Sequence, residues 1–330
     1  MPLIRQDILE TLERLKKKTG LPIKKLSEYL GIQVQKISEW KKIKISKVKS
    51  NIPKSHYATP EEQKAVVEFK KENMSIGYVR LAWMMIDKNI AFLSPSTVYR
   101  ILVNVSLNNK WTKPAGEPKK VGFDQPTRVH EHWHTDISYV NFKGTFVYLV
   151  SVLDGYSRAI LSWDIRTKME SFDVQIVLWR ACDKYLEKDN PNNPRLITDN
   201  GSQFLTNEFK NTLKEFSMKN VRTSVNHPQA NGKIERFHGT IKSEVIRTMP
   251  KFTLEQMKSE VAEWIQHYNF ERLHSSIDYV APMDVMACKR DSILLERKRK
   301  LIEGKQKRKE SSLKAKRNFE SNTVAEVVKA

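Results

Sequence analysis

The stretch from Thr198 to Lys242 constrains this chain more than any other. It opens with TDNGSQF, in which the short apolar run Leu196–Ile197 delivers Asp199. It closes with HPQANGKIERFHGTIK, in which Glu235 sits among residues of helical periodicity, with Ile234, Phe237, Ile241 and Val245 as the apolar stripe. Thirty-five residues separate the two acids. A third acid, Asp136, stands upstream in the strand-like WHTDISYV. A fold for this chain must therefore bring acids from two strands and one helix to the edge of a buried core.

One acid alone is ordinarily a solvated or capping carboxylate, and Thr-Asp-Asn-Gly is a good turn in its own right. Three acids on separate rigid elements are what a metal-dependent phosphoryl-transfer site needs. Mg²⁺ prefers carboxylate and water ligands over Cys or His. Two such ions, roughly 3.5–4 Å apart, stabilise both the attacking and the leaving oxygen of a phosphodiester. On this reading Asp136 and Asp199 bridge metal and Glu235 serves the second ion. His238 and Lys242 follow Glu235 at i+3 and i+7, close to its face. Lys242 then stands about 10 Å along the helix axis, where a cation can grip substrate phosphate.

The charge balance points the same way. Lys and Arg number 58 against 38 Asp and Glu, a net charge of +20 with a pI near 9.7. Such a field draws in polyanions, nucleic acid first and an anionic membrane surface second. There is no run of about 18 apolar residues to span a membrane, and the first residues lack the apolar segment of a signal peptide. The two cysteines, Cys182 and Cys288, form no CxxC pair, so no zinc motif is visible. A reducing cytoplasm, with the protein associated with the nucleoid, is the expected setting.

Residues 3–18 carry Ile4, Ile8, Leu12 and Leu15 at helical spacing. Leu26 and Leu30 mark a second helix, Gly31 a turn, and Val34, Ile37 and Trp40 a third. Helix, tight turn and helix make a helix-turn-helix pattern over 1–50, with Gln33, Gln35, Lys36 and Glu39 as polar candidates for DNA contact; a plain three-helix bundle is the alternative. A Lys-rich linker covers 41–58. A second helix-turn-helix is expected over 59–107, with Thr59 and Ser94 as N-caps, Pro60 and Pro95 at N1, and Arg100 facing outward. Residues 108–127 read as a second linker. Three β-rich runs, then helices alternating with strands, indicate a mixed α/β sheet over 128–287. From 288 to 330 the composition is that of a charged helix or a disordered basic tail.

Asp136, Asp199 and Glu235 in these contexts resemble the DDE transposases of bacterial insertion sequences, which have a retroviral-integrase-type core. YNFERLHSSIDYVAPMDV (268–285) resembles the segment that closes that core. The resemblance covers about residues 59–287. It implies a ribonuclease-H-like fold preceded by two all-α helix-turn-helix units, and Mg²⁺-dependent DNA cleavage and strand transfer, with Mn²⁺ able to substitute. It implies Asp136, Asp199 and Glu235 as the catalytic and metal-binding triad and Lys242 as a DNA-contacting cation, with His238 beside it. Asn200, Gly201, Gln203 and Asn231 shape the site; Tyr268, Asn269, Arg272 and His274 belong to the closing segment. The implied partners are double-stranded DNA, as terminal inverted repeats and target, and further copies of the chain when two ends are paired. The zinc-binding N-terminal domain of retroviral integrases is missing. The run HEHWH invites a metal reading, but alternate residues on one strand lack a fourth ligand. A catalytically retired DNA-binding regulator and a nuclease of the same fold are the competing readings.

Overall fold

A computed structural model describes residues 2–42, 57–107, 125–222, 231–248 and 253–329. Most of both expected linkers, residues 43–56 and 108–124, lies outside the described residues. The chain divides into two units: residues 1–57 with 309–330, and residues 58–308.

In the first unit, α1 (Pro2–Thr19), α2 (Ile23–Tyr29) and α3 (Val34–Lys42) bury Leu12, Leu26 and Ile37 between them. Gly31, at φ +65°, lies in the turn between α2 and α3. Leu30 and Val34, which mark the two helices in sequence, remain 46% and 40% exposed. They flank the turn, where the chain leaves the helical path and the spacing rule no longer points inward.

The second unit begins with three helices. The first is α4 (Pro60–Glu72), which starts on a capping box: Thr59 Oγ1 accepts from the Glu62 N–H at 3.2 Å and the Glu62 carboxylate accepts from the Thr59 N–H at 2.9 Å. The others are α5 (Tyr78–Asp87) and α6 (Pro95–Asn104), the latter capped by Ser94. Val66, Leu81, Met85, Val98 and Leu102 form their shared core.

A five-stranded sheet follows, built from β1 (His132–Phe142), β2 (Thr145–Asp154), β3 (Ile160–Arg166), β4 (Arg195–Thr198) and β5 (Asn220–Arg222). The strand order is β3-β2-β1-β4-β5. The first three strands are antiparallel, whereas β4 runs parallel to β1 and β5 parallel to β4. Lys143 and Gly144, at φ +50° and +82°, make the two-residue turn from β1 to β2. Positive φ at both positions matches the twist of the flanking strands, and glycine takes it without strain.

On one face of the sheet lie α7 (Ser171–Tyr185) and α8 (Asn207–Glu215), packed on Trp133, Val150, Val152 and Leu196. On the other lie α9 (Gly232–Ile241) and α10 (Leu254–Phe270), packed on Val140, Leu149, Leu153 and Ile165. The chain passes from α9 into a π-helical turn, Lys242–Ile246. Asn269 joins α10 to the sheet edge: its amide accepts from the Ile160 N–H and donates to the Ile160 carbonyl, both at 2.9 Å. An edge strand is thereby supplied with the partners it lacks.

After the short α11 (Pro282–Met286) comes α12 (Arg290–Lys329). Arg297, 2% exposed, lies near its start. Its guanidinium pairs with both oxygens of Asp87 on α5, at 2.6 and 2.8 Å, and donates to the carbonyls of Asp278 and Tyr279 at 3.2 and 2.8 Å. It also lies over the Trp83 ring at 5.2 Å. Farther along, Arg308 donates to Glu62 at 2.7 Å and to the Phe92 carbonyl at 3.2 Å. One planar cation thus ties α5, α12 and the segment after α10 together. Arg297→Met is expected to destabilise this unit by about 2–3 kcal/mol, at the low end for a broken buried pair because Asp87 keeps some access to water. Arg299→Met, on the exposed side of α12, should stay within about 0.5 kcal/mol in the same urea titration.

Candidate active site

Strand parity builds the site. In the β1–β2 pairing Asp136 stands opposite Ser151, and in the β1–β4 pairing His134 stands opposite Ile197. Two residues further along that parallel register, Asp199, the first residue beyond β4, is level with Asp136. Side chains alternate between faces. Asp136 and Ser151 therefore share the face of Val140 and Leu149, which α9 covers, and Asp199 continues the matching row of β4.

α9 presents Ile234, Phe237 and Ile241 to that face and buries all three. His238 lies on the same inward side and is 4% exposed. Its Nδ1 is 3.4 Å from an Asp136 carboxylate oxygen, and its Nε2 is 2.8 Å from the Ser151 hydroxyl. This corrects the sequence reading of His238 as a DNA contact: its spacing from Ile234 and Ile241 turns the ring into the core. One ring nitrogen thus faces the Asp136 carboxylate and the other is hydrogen-bonded to the Ser151 hydroxyl, so the ring is fixed against the acid. Ser151 had no signal in the sequence, because its partner lies 87 residues away.

Glu235 projects from the exposed side of α9. Its carboxyl is raised above the ordinary carboxylate range, by burial first and by the negative charge of Asp136 second, with His238 pulling it back. Two acids from distant parts of the chain therefore share one field. Lys242, at the start of the π-helical turn, has its ammonium lowered by burial and by Arg247, and Asp136 acts in the opposite sense. Asp199 is exposed, and its Oδ1 accepts from the Gly201 N–H at 2.9 Å. A Cβ on Gly201 would fall 2.9 Å from Gln203 Oε1 and 3.0 Å from Asp199 Oδ1. Both atoms end flexible side chains, so a Cβ here would crowd the turn and shift them by a few tenths of an ångström. Asn231, just before α9, is buried with its Oδ1 unpartnered. His227–Ala230, the start of HPQANGK, lies outside the described residues.

Among the described residues, no three His, Cys, Asp or Glu side chains lie close enough to hold one ion. What they offer is two pairs sharing Asp136: Asp136 with Asp199 by strand register, and Asp136 with Glu235 by shared charge. Carboxylate oxygens suit Mg²⁺ or Mn²⁺, and Mg²⁺ is commonly held by one or two carboxylates with water and substrate phosphate completing the shell. The donor set fits such an ion.

The HEHWH histidines are divided by the strand. His130, at φ +56°, accepts from Trp133 Nε1 at 3.1 Å and packs against Tyr185 on the α7 side. His132 is buried beside Arg195. His134 is fully buried, and loss of water drives its imidazole down to about 3, so it is a neutral packing residue. Of the expected DNA contacts elsewhere, Gln33, Gln35 and Lys36 are exposed at the start of α3 and in the turn before it, and Arg100 is exposed on α6.

The "Integrase core domain" family is matched twice, over residues 126–228 and 217–282. The chain is 30% identical over 200 residues to the InsD transposase of insertion element IS2E from Escherichia coli strain K12, covering 59% of this chain and 91% of that protein. The chain belongs to the bacterial insertion-sequence transposases with an integrase-type core. Other members of the transposase family match less fully. The transposase for insertion sequence element IS904 of Lactococcus lactis subsp. lactis is 30% identical over 161 residues, 48% of this chain. InsK of IS150 from Escherichia coli is 28% identical over 159 residues, also 48% of this chain. The chain spans 62% and 55% of the length of these two transposases. Similar solved structures include a simian T-cell lymphotropic virus intasome, with TM-score 0.42 and 15% identity over 67% of this chain and 73% of that one. The HTLV-2 integrase catalytic core in complex with magnesium has TM-score 0.39 and 18% identity over 49% and 99%. The mixed five-stranded sheet, with helices on both faces, lies within the residues that the integrase core domain family matches.

The raised Glu235 carboxyl has a consequence for stability. A carboxyl raised in the folded state binds more protons there than in the unfolded chain, so its ionised form opposes folding. Glu235→Gln is expected to raise the melting temperature at pH 7. The gain should shrink as pH falls through the raised value and vanish below about 4.5, where Glu235 is protonated in both states. Calorimetric scans of both proteins from about pH 4 to 8 check this.

Proposed function

We propose that this transposase-family chain binds the ends of a DNA element, cleaves there, and joins the freed ends to target DNA. The observation that carries the reading is the shared field of Asp136 and Glu235 beside Lys242, with Asp199 on the neighbouring strand at the same level. Nothing in packing requires four charged groups at that edge of the sheet, and mutual repulsion of the two acids opposes folding.

In this reading Asp136, Asp199 and Glu235 are the triad. His238 and Ser151 position Asp136, and the turn at Gly201 positions Asp199. Mg²⁺, or Mn²⁺ in its place, held by the acids would supply the charge that stabilises the attacking and leaving oxygens of the phosphodiester. Lys242 holds a substrate phosphate near Asp136. Water is the first nucleophile and frees a 3′-hydroxyl at each element end; that hydroxyl is the second and attacks the target. Gln33, Gln35 and Lys36 around α3, and Arg100 on α6, are the exposed polar groups proposed to contact end DNA. The expected substrates are inverted-repeat ends and a target duplex. Pairing of two ends calls for at least two copies of the chain.

The test is a strand-transfer assay with purified protein, Mg²⁺, a labelled element-end duplex and a supercoiled target. Joined product should form with the natural sequence and vanish with Asp136→Asn and Glu235→Gln. Binding without cleavage or joining, in both Mg²⁺ and Mn²⁺, would make the chain a DNA-binding regulator, and cleavage without joining would make it a nuclease. In the same assay Asp199→Asn should likewise abolish joined product, with its fold retained. An unchanged rate would remove Asp199 from the site.

A further inference from the structure

Tyr268, buried in the second unit, stands amid cations that the proposed reaction does not use. Its hydroxyl donates to the Arg158 carbonyl at 3.2 Å, the Arg272 guanidinium lies over its ring at 5.7 Å, and His274 meets the ring edge-on at 6.1 Å. Arg158 leaves the β2–β3 turn in left-handed backbone, φ +68°. Arg80 comes from α5 and exposed Arg236 from α9, next to Glu235. The charges of four guanidinia from four elements act on one imidazole. His274 registers them: it is pushed down to about 4, by burial first and then by the charges of Arg272, Arg158, Arg80 and Arg236.

The protein neutralises this charge only in part. Glu244 takes Arg272 in a bidentate pair at 2.6 and 3.1 Å. Asp154 acts on Arg158, but its carboxylate already accepts from the N–H groups of His130, Tyr156 and Ser157 and from the Ser157 hydroxyl. The Nε atoms of Arg80 and Arg158 are buried without a hydrogen-bond partner. A buried unsatisfied donor and the mutual repulsion of like charges both destabilise a fold, so packing alone gives no reason to gather them.

We propose that Arg80, Arg158 and Arg236, around His274, form a binding site for a backbone phosphodiester of the DNA strand that runs past Glu235. The guanidinium fork matches phosphate oxygens in geometry as well as charge. Arg272, already paired, supports the site without being its principal donor. Because Arg80 belongs to the α4–α6 helices and Arg158 to the sheet, one phosphate would be held by both. The assignment rests on the DNA-joining reading above.

The experiment measures binding of the full chain to an element-end duplex and to an unrelated duplex of equal length, across a salt series. It compares the natural sequence with Arg80→Gln, Arg158→Gln and the double variant. Lys188→Gln, at an exposed surface pair with Glu215, controls for lost charge, and melting temperature is recorded for each. Each single variant should bind both duplexes about 10-fold more weakly and make the slope of log K against log salt shallower by about one. Melting temperatures should hold or rise, because each substitution relieves repulsion among the guanidinia. Affinity and slope matching Lys188→Gln would overturn the site, as would a lowered melting temperature with unchanged slope, which marks a structural role. A natural chain that binds and joins DNA while its variants do so equally well fails this inference alone. A natural chain that binds neither duplex fails the DNA reading itself.

Discussion

The pairing of β1 on both of its edges is the constraint on which the site depends. Its antiparallel partner β2 places Ser151 opposite Asp136, and its parallel partner β4 places Asp199 level with it. Side chains alternate along a strand, so slipping either pairing by one residue would turn an acid onto the α7 face. The buried residues oppose such a slip. Trp133 and Leu196 would leave the core on one face, and Val140 and Leu149 on the other. The hydrophobic pattern that stabilises the sheet therefore also aims the carboxylates.

α9 completes this arrangement by the same logic in helical form. Burial of Ile234, Phe237 and Ile241 sets its rotation, which turns His238 inward to Asp136 and leaves Glu235 at the exposed rim. The negative charge of Asp136 then raises the Glu235 carboxyl, an effect that a nearby positive charge would relieve. In the proposed reading stability and function pull in opposite directions at this edge, a pattern common to sites whose electrostatics serve a reaction.

Cations act in two distinct ways in the second unit. Arg297 is buried and fully paired, and it fixes α12 and α5 against the segment after α10. The Nε atoms of Arg80 and Arg158 are buried without a hydrogen-bond partner. The same side-chain chemistry serves as a structural clamp where acceptors surround it, and in the proposed reading as a phosphate site where its Nε is left without one.

The sequence alone marked the elements and the chemistry. Capping residues Thr59 and Ser94, the β-rich runs and the apolar stripe of α9 are local signals, each set by neighbours a few residues away, and the described structure carries them. The three acids read from the sequence lie on β1, just beyond β4 and on α9. The sequence could not say what each side chain would meet. His238 looked like a surface cation beside Glu235, yet it is buried between Asp136 and Ser151. Arg80, Arg158, Arg236 and Arg272 come from separate elements and carry no common motif, yet their charges all act on His274. Local periodicity encodes which face of an element is apolar. Only the packing of elements distant in sequence, with strand register and helix rotation settled by burial, decides which polar groups share that face and which of them remain without a partner.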